Sequence, residues 1–316
     1  MPDPLTFGPR GPRSPKFSGV FVPTVVPLRD DGSVNEPELR RLVDFLIDRG
    51  AAGLYPNGST GEFLRFTDAE RLHIASVTLD QAAGRVPVMV GLAEANVAVT
   101  RELAARYADM GAAAAAVVSP FYYRLSEEAV YEWFAAIAGE SPLDLMLYNI
   151  PIFASPITVE TVRRLAADCP RVVGIKDSSG DVANMTGMAA AVTEARPDFC
   201  LMTGWDTTLV SMLLSGADGG TNASANVVPE VMAAIYGAAA AGDVSRAWEL
   251  QRKLTPLFNA MLGPDFPIGF REATALRGLD VGPSRLPQSA AQRAAAKELV
   301  PKLQAAIDAM GDVLRP

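Results

Sequence analysis

The sequence predicts an α/β protein in which eight βα units close into a (β/α)8 TIM barrel, followed by a C-terminal helical extension. From residue 17 onward, short runs rich in Val, Ile and Leu alternate with longer amphipathic stretches, which is typical of a parallel sheet with intervening helices. The alternation repeats eight times, more often than in an open doubly wound sheet of roughly five to seven strands. Neither GxGxxG nor GxxxxGK[ST] follows a strand, so no motif indicates nucleotide binding.

The apolar runs give the expected strands, and the amphipathic stretches give the expected helices. In chain order, the strands are expected at 17–27, 52–57, 87–92, 113–119, 144–149, 172–177, 199–204 and 218–224. Helices are expected between them at 36–50, 68–84, 97–110, 126–139 and 158–169. Asn35, Thr67 and Thr158 are N-cap residue types that precede early acidic residues, which supports three of these helix starts.

The chain divides into three expected segments. Residues 1–16 contain five prolines and no apolar core of a signal peptide, so they predict a disordered lead-in and a cytoplasmic protein. Residues 17–241 form the expected barrel. The strand pattern ends there, and helical stretches near 243–262, 265–279 and 288–311 make residues 242–316 the expected helical extension, either a cap or an oligomer surface.

Composition excludes several classes of function. The chain is 49% hydrophobic, but no apolar run approaches the roughly 20 residues that span a bilayer. Cys169 and Cys200 lack CxxC spacing and a companion histidine cluster, which argues against a disulfide framework or a zinc site. The net charge of -8 and the absence of a Lys/Arg-rich block argue against nucleic acid binding. An acidic substrate must therefore be bound by local donors in a pocket.

Lys176 is the strongest catalytic candidate because it ends the sixth apolar run. Barrel enzymes carry their catalytic groups at the C-terminal ends of strands. Burial disfavours a charged amine, which makes the neutral nucleophile available for attack on a ketone carbonyl. Lys176 is also the only lysine between Lys16 and Lys253. The alternative interpretation is a structural ion pair between Lys176 and Asp177.

Two further strand ends carry groups that suit such chemistry. Tyr148 closes the fifth strand, where its phenol could transfer protons, although a buried core tyrosine would look the same. After the second strand, Gly58, Ser59 and Thr60 offer backbone N–H groups and hydroxyls that could hold a carboxylate, although such a stretch is often a simple turn. His73, the sole histidine, lies in a helical pattern, which disfavours a Ser-His-Asp triad or a histidine-dependent metal site.

Taken together, these motifs resemble the dihydrodipicolinate synthase and N-acetylneuraminate lyase family of class I, Schiff-base-forming lyases. The resemblance rests on GSTGE at 58–62, YNIP at 148–151 and GIKD at 174–177, on strands two, five and six. It covers about residues 17–310 and extends to SPFYY at 119–123, GWD at 204–206 and GADGG at 216–220.

The resemblance implies roles for individual residues. Lys176 would form an imine with pyruvate or a larger 2-oxo acid, and Tyr148 would be the proton-transfer phenol. Ser59 and Thr60, with Gly58, would bind the 2-oxo carboxylate. Tyr122 would reach a neighbouring subunit's site in a proton relay through Ser59, which implies a dimer at least and usually a dimer of dimers. No metal or other cofactor is needed, since the imine itself stabilises the enamine left by bond cleavage.

Departures from the family patterns narrow the expected substrate. Phe153 stands where true dihydrodipicolinate synthases carry an arginine, and Trp205 and Thr207 replace the Tyr and Glu of neuraminate lyases. The GIKDSS stretch at 174–179 with Ile152 and Phe153 looks most like the 2-keto-3-deoxy sugar acid aldolase branch. Expected contacts to the rest of the substrate are Phe153, Gly204, Asp206, Thr221 and Asn222, with Tyr123 as a further candidate.

Three functions remain open at this point. The first is an aldolase that reversibly cleaves a 2-keto-3-deoxy sugar acid, or a similar 4-hydroxy-2-oxo acid, to pyruvate and an aldehyde. The second keeps the imine but dehydrates the acid or condenses pyruvate with an aldehyde. The third is a non-catalytic barrel that binds 2-oxo acids, which the intact set of Lys176, Tyr148, Ser59 and Thr60 disfavours because an unused buried lysine costs stability.

Overall fold

A closed barrel of eight parallel strands is the centre of the computed structural model, which describes residues 16–193 and 196–314. The described strands are β1 (Gly19–Val22), β2 (Gly53–Leu54), β3 (Met89–Leu92), β4 (Ala114–Val118), β5 (Leu145–Asn149), β6 (Val172–Asp177), β7 (Cys200–Thr203) and β8 (Gly219–Thr221). They pair in the order β2-β1-β8-β7-β6-β5-β4-β3, and a parallel bridge between Leu54 and Val88 joins the two ends. The (β/α)8 fold class is therefore confirmed.

Helices cover the outside of the barrel and continue beyond it. In the described ranges they are α1 (Glu36–Asp48), α2 (Asp68–Ala82), α3 (Val97–Asp109), α4 (Glu127–Ala138), α5 (Val159–Asp168), α6 (Val182–Thr193), α7 (Leu209–Leu214), α8 (Pro229–Ala240), α9 (Val244–Met261), α10 (Ile268–Ala275) and α11 (Ala290–Asp308). Thr67 and Thr158 cap α2 and α5 with their hydroxyls, as their residue types indicate. Asn35 occupies the N-cap position of α1 without a side-chain capping bond.

Side-chain alternation along the strands separates two cores. Inward side chains, including Phe21, Tyr55, Met146 and Met202, fill the barrel interior, while outward aliphatic side chains pack against the helices. Because Tyr148 pairs with Lys176 in register across β5 and β6, both side chains emerge on the same face at the C-terminal mouth. The strand register thus brings together two candidate residues that lie far apart in the sequence.

The C-terminal extension is attached to the barrel mouth through Arg271 of α10. The Arg271 guanidinium pairs with Glu62 at 3.2 Å and donates to the backbone oxygens of Val26, Val281 and Pro283. The side chains of Arg271 and Glu62 are only 4% and 2% exposed, so the loss of Glu62 would remove the carboxylate that pairs with the buried Arg271 guanidinium. The extension therefore stabilises the loop after β2.

Three further expectations from the sequence concern the N-terminal lead-in, membrane crossing and the two cysteines. Most of the expected lead-in at residues 1–16 lies outside the described residues, which begin at Lys16. Among the helices that the structure describes, none is long and apolar enough to cross a membrane. Cys169 is half-buried and Cys200 is buried, where its Sγ donates to the Phe17 carbonyl at 3.1 Å.

An ion pair between Glu70 and Arg285 gives the fold a pH-dependent element. The hydrogen bond from Arg285 lowers the pKa of Glu70 from 4.5 to about 2. Because the pKa is lower in the folded state, the pair stabilises the protein above about pH 4.5, and this contribution is lost as the pH falls towards 2.

We expect Glu70→Gln to lower the melting temperature at pH 7 by roughly 2 °C, because glutamine keeps the capping bond to Thr67 but loses the charge. The difference in melting temperature between the variant and the parent protein, measured by thermal unfolding, should become smaller between about pH 5 and pH 3. Glu132→Gln is the control, since Glu132 is exposed on α4 and makes no ion pair among the described residues. A difference that stays constant down to pH 3 would contradict this account.

Candidate active site

Lys176 lies at the mouth of the barrel between two tyrosine rings. Its side chain is buried, and Nζ lies 3.9 Å from the ring centroid of Tyr148 and 4.8 Å from that of Tyr55. The two rings approach each other edge to face, with centroids 6.3 Å apart. Aromatic faces attract a cation and exclude water, so this setting suits an amine that becomes a positively charged imine.

Space for the lysine side chain depends on the glycine at the end of β7. A Cβ on Gly204 would lie 2.8 Å from Lys176 Cε and 1.9 Å from Ser178 Oγ. The Gly204 N–H donates to the Asp177 carbonyl at 2.7 Å, which fixes this close approach of the backbone. Gly204 therefore lies beside the lysine and makes space for it by the absence of a side chain, while its expected role as a substrate contact stays a prediction.

Asp177 does not pair with Lys176. Its carboxylate accepts hydrogen bonds from Asn149 Nδ2 at 2.7 Å and from Ser179 Oγ at 2.7 Å, and burial raises its pKa. Lys176 makes no ion pair within the described part of the chain. The structural interpretation of Lys176 as the partner of Asp177 is therefore wrong, and the Asn149–Asp177 bond instead joins the ends of the two strands that carry Tyr148 and Lys176.

The phenol of Tyr148 points to the loop after β2. Tyr148 Oη lies 3.4 Å from Ser59 Oγ, and either group can donate. Ser59 is followed by Thr60, which is buried at the same loop. A Cβ on Gly58 would lie 3.1 Å from the Tyr55 ring, so this glycine lets the loop pass close to the ring that flanks Lys176. The structure thus groups Lys176, Tyr148, Ser59 and Gly58 around one space.

Tyr55 is the site residue that the sequence reasoning missed. It follows the last residue of β2 and is only 1% exposed, and burial raises its pKa well above the ordinary value of 10. Its phenol therefore stays protonated at neutral pH. The signal was available, because Tyr55 is the last aromatic residue before the loop that carries Ser59, but β2 has only two residues and its end was hard to locate.

Thr221 and Asp206, two candidates at the ends of β8 and β7, occupy different positions. Thr221 faces the barrel interior, and its hydroxyl lies 3.6 Å from Met202 Sδ. The buried carboxylate of Asp206 accepts a hydrogen bond from the Ser224 N–H at 2.7 Å, and burial raises its pKa. Asp206 thus joins the loops after β7 and β8, while its role as a substrate contact stays a prediction.

Asn222 lies towards the helical layer. A Cβ on Gly220 would be 1.9 Å from Asn222 Oδ1 and 3.1 Å from Leu209, which belongs to the core outside the barrel. No hydrogen bond joins the Asn222 amide to Lys176 among the described residues. Its role in binding substrate therefore also stays a prediction.

Tyr122, Tyr123 and Phe153 lie on the surface beside the mouth. Their exposed fractions are 89%, 74% and 57%. Tyr122 adopts the left-handed backbone conformation with φ of 73°, which a bulky residue rarely adopts. Within one chain Tyr122 is not brought to Lys176, so a role in catalysis requires a second copy.

No cluster of three or more His, Cys, Asp or Glu side chains that could hold a metal ion occurs in residues 16–193 and 196–314. His73 is half exposed on α2, 3.5 Å from Glu36. Its position on the helical layer places it away from the strand ends that carry the candidate residues.

Comparison with known proteins places this geometry in a family. Residues 16–306 match the model of the dihydrodipicolinate synthetase family. The 4-hydroxy-tetrahydrodipicolinate synthase of Albidiferax ferrireducens is 36% identical over 87% of this chain and 91% of its own length. The probable 2-dehydro-3-deoxy-D-pentonate aldolase YjhH of Escherichia coli K12 is 34% identical over 77% of this chain and 81% of its own length.

Solved structures agree with these relatives. YagE, a prophage protein of the dihydrodipicolinic acid synthase family from E. coli K12 solved in complex with pyruvate, superposes with a TM-score of 0.85 at 32% identity, covering 92% of this chain and 99% of its own. A monomeric dihydrodipicolinate synthase variant superposes with a TM-score of 0.88 at 28% identity, covering 98% of this chain and 99% of its own.

We expect Gly204→Ala to abolish most reactivity of Lys176 without unfolding the protein, because the added methyl would displace the lysine side chain. The rate of imine formation with pyruvate should fall by about 100-fold or more, the usual effect of misplacing a reacting group by about 1 Å. Gly237→Ala is the matched control, since a Cβ there meets nothing within 4 Å. Equal rates for the two variants in a borohydride trapping assay would disprove the proposed crowding.

Proposed function

This chain belongs to the dihydrodipicolinate synthetase family and is a lyase of that family, and we propose on this premise that it acts on 2-oxo acids through an imine on Lys176. The observation that carries the proposal is the amine buried between Tyr148 and Tyr55 with no carboxylate partner. In the cleavage direction, Lys176 Nζ attacks the C2 carbonyl of the substrate, and loss of water gives a protonated imine.

The phenol of Tyr148 is the proposed proton carrier. It removes the proton from the C4 hydroxyl, the C3–C4 bond breaks, and the bonding electrons pass into the imine to give an enamine and an aldehyde. Protonation at C3 and hydrolysis then release pyruvate and free Lys176. The 3.4 Å contact between Tyr148 and Ser59 supports this role, because it gives the phenol a hydroxyl with which to exchange the proton.

The loop after β2 is the proposed site for the substrate carboxylate. Ser59 and Thr60 supply hydroxyls there, and Gly58 lets the backbone approach closely. Thr60 is buried beside the mouth and Gly58 packs against Tyr55, which supports a compact anion site next to Lys176. Hydrogen bonds to a carboxylate are stronger than those to neutral groups, so this loop can orient a small 2-oxo acid.

For the substrate, we propose a 2-keto-3-deoxy sugar acid or a similar 4-hydroxy-2-oxo acid, cleaved reversibly to pyruvate and an aldehyde. The likeness to YjhH, a probable 2-dehydro-3-deoxy-D-pentonate aldolase, supports cleavage. The likeness to 4-hydroxy-tetrahydrodipicolinate synthases supports the second candidate, condensation of pyruvate with an aldehyde. Phe153 favours the first, because this exposed phenyl ring offers no charge for a second carboxylate.

We propose further that the active form is a homo-oligomer, at least a dimer and in full a dimer of dimers. Tyr122 would extend from one copy to the Ser59 hydroxyl of another. The exposure of Tyr122 and its left-handed backbone support this arrangement, since such a conformation is retained where the surroundings or the function require it.

Trapping with pyruvate and borohydride tests the imine directly. We expect one reduced pyruvate per chain, located on Lys176 by peptide mapping, and none in Lys176→Arg. Tyr148→Phe should still give the adduct but should turn over roughly 10²- to 10⁴-fold more slowly, because it loses the proton-transfer group. An adduct on a different lysine, or none at all, would refute the proposed mechanism.

Mixing two inactive variants tests the exchange of Tyr122 between copies. Lys176→Ala and Tyr122→Phe, when coexpressed, should form dimers in which one site has Lys176 together with an intact Tyr122 from its partner. Random pairing would then restore about a quarter of the parent activity.

Coexpression of Lys176→Ala with Tyr148→Phe is the control. Both residues belong to the site of one chain, so no pairing assembles a complete site and no activity should return. Restoration in the control, or its absence in the test pair, would show that Tyr122 does not act across the interface.

A further inference from the structure

An apolar cavity of about 710 Å³ opens beside the candidate active site. It lies between the loops after β2, β4 and β5 and the C-terminal extension. Four phenylalanines from these segments line it, namely Phe63, Phe121, Phe153 and Phe266. A cavity of this size holds a small organic molecule with a ring or a branched chain.

The cavity borders the catalytic groups through Ser59 and the residues around Tyr148. Ser59 lines it, and the Ser59 hydroxyl lies 3.4 Å from Tyr148 Oη. Ile150 and Ala154 also line it, and both pack in the same buried cluster as Tyr148. Since Tyr148 is proposed to take the proton of the C4 hydroxyl, this cavity offers space for the part of the substrate beyond C4 on the side of Ser59.

The polar groups around the cavity are already engaged with each other. The Glu62 carboxylate accepts from Arg271, Arg65 and Ser284. Gln292 Nε2 donates to Asp265 at 2.6 Å, and Gln292 Oε1 accepts from the Ser289 N–H. A polyhydroxylated chain in the cavity would therefore lose hydrogen bonds to water and would mainly contact phenyl rings, which cannot replace those bonds.

We propose that the aldehyde released or captured by this enzyme carries an apolar substituent, either aromatic or branched aliphatic, and that the wall formed by Phe153 and Phe266 selects it. The inference rests on the proposed function and, of the two substrate classes named there, selects a 4-hydroxy-2-oxo acid with an apolar group on C4 over a 2-keto-3-deoxy sugar acid. The C3–C4 bond breaks, the hydroxyl proton passes to Tyr148, and the bonding electrons pass into the protonated imine to give the enamine, so no oxidant or reductant is needed. Protonation at C3 and hydrolysis by water then release pyruvate. Phe153 and Phe266, whose ring centroids lie 6.5 Å apart, pack together as one aromatic wall of the cavity.

The test begins with the purified chain, pyruvate and borohydride, which reports the imine on Lys176 independently of any aldehyde. Condensation of pyruvate is then measured with four aldehydes: benzaldehyde and isobutyraldehyde against glycolaldehyde and glyceraldehyde. We expect kcat/KM for the first pair to exceed that for the second by about 10-fold or more, since removal of apolar surface from water favours the first pair alone.

Matched variants locate the selectivity. Phe153→Ala and Phe266→Ala should each lower kcat/KM for benzaldehyde by about 10-fold while the rate of imine trapping stays at the parent value. Ile152→Ala is the control, because Ile152 is the equally exposed neighbour of Phe153 and lies outside the cavity wall.

The outcomes separate this inference from the proposed function. Normal trapping with equal or greater activity on the hydroxylated aldehydes would overturn the apolar specificity and leave the proposed function intact. Absence of trapping would overturn both. Phe153 and Phe266 variants that change the molecular mass in sedimentation but not the aldehyde preference would show that the wall is an interface between copies, and would also overturn the proposal.

Discussion

Burial of the Lys176 amine between two aromatic rings is the contact around which the other residues of the site are arranged. The lysine can lie there only because β7 ends in glycine, and its amine stays unpaired because Asp177 is bound to Asn149. The interior beneath it is filled by large side chains such as Phe21 and Met202, so the amine has no route to solvent except through the mouth. Burial of an amine without a carboxylate partner among the described residues costs stability.

The loop after β2 connects this centre to the rest of the molecule. Its serine touches the phenol of Tyr148, and its last residue, Glu62, is bound by Arg271 of the C-terminal extension. The same extension contributes Phe266 to the wall of the apolar cavity. The helices after the barrel are therefore part of the site, in addition to any role at a subunit interface.

Local patterns were sufficient to predict the barrel and its main catalytic candidates. Lys176 and Tyr148 each lie at the end of an apolar run. Because strand ends in a parallel barrel meet at one mouth, the sequence pattern predicts that the two residues are close together. Tyr55 was missed because β2 is too short to show a clear end. Phe266 could not be predicted, because its contact with Phe153 depends on how α9 and α10 fold back over the mouth. Local hydrophobic periodicity carries no information about that packing. The position of Asn222 beside Leu209 likewise depends on the register of β8, a strand of only three residues.

The ion pair between Glu62 and Arg271 also determines when the site is completed during synthesis. Chains are made from the N-terminus, and a nascent chain that has reached the end of β8 already contains every strand and the lysine. It still lacks Arg271, so Arg65 is the only cation of the two that can pair with Glu62, and the contacts between the loop after β2 and the C-terminal extension have not formed. A chain that ends before Arg271 therefore contains Lys176 but lacks the buried contacts that hold the loop carrying Ser59 against the C-terminal extension.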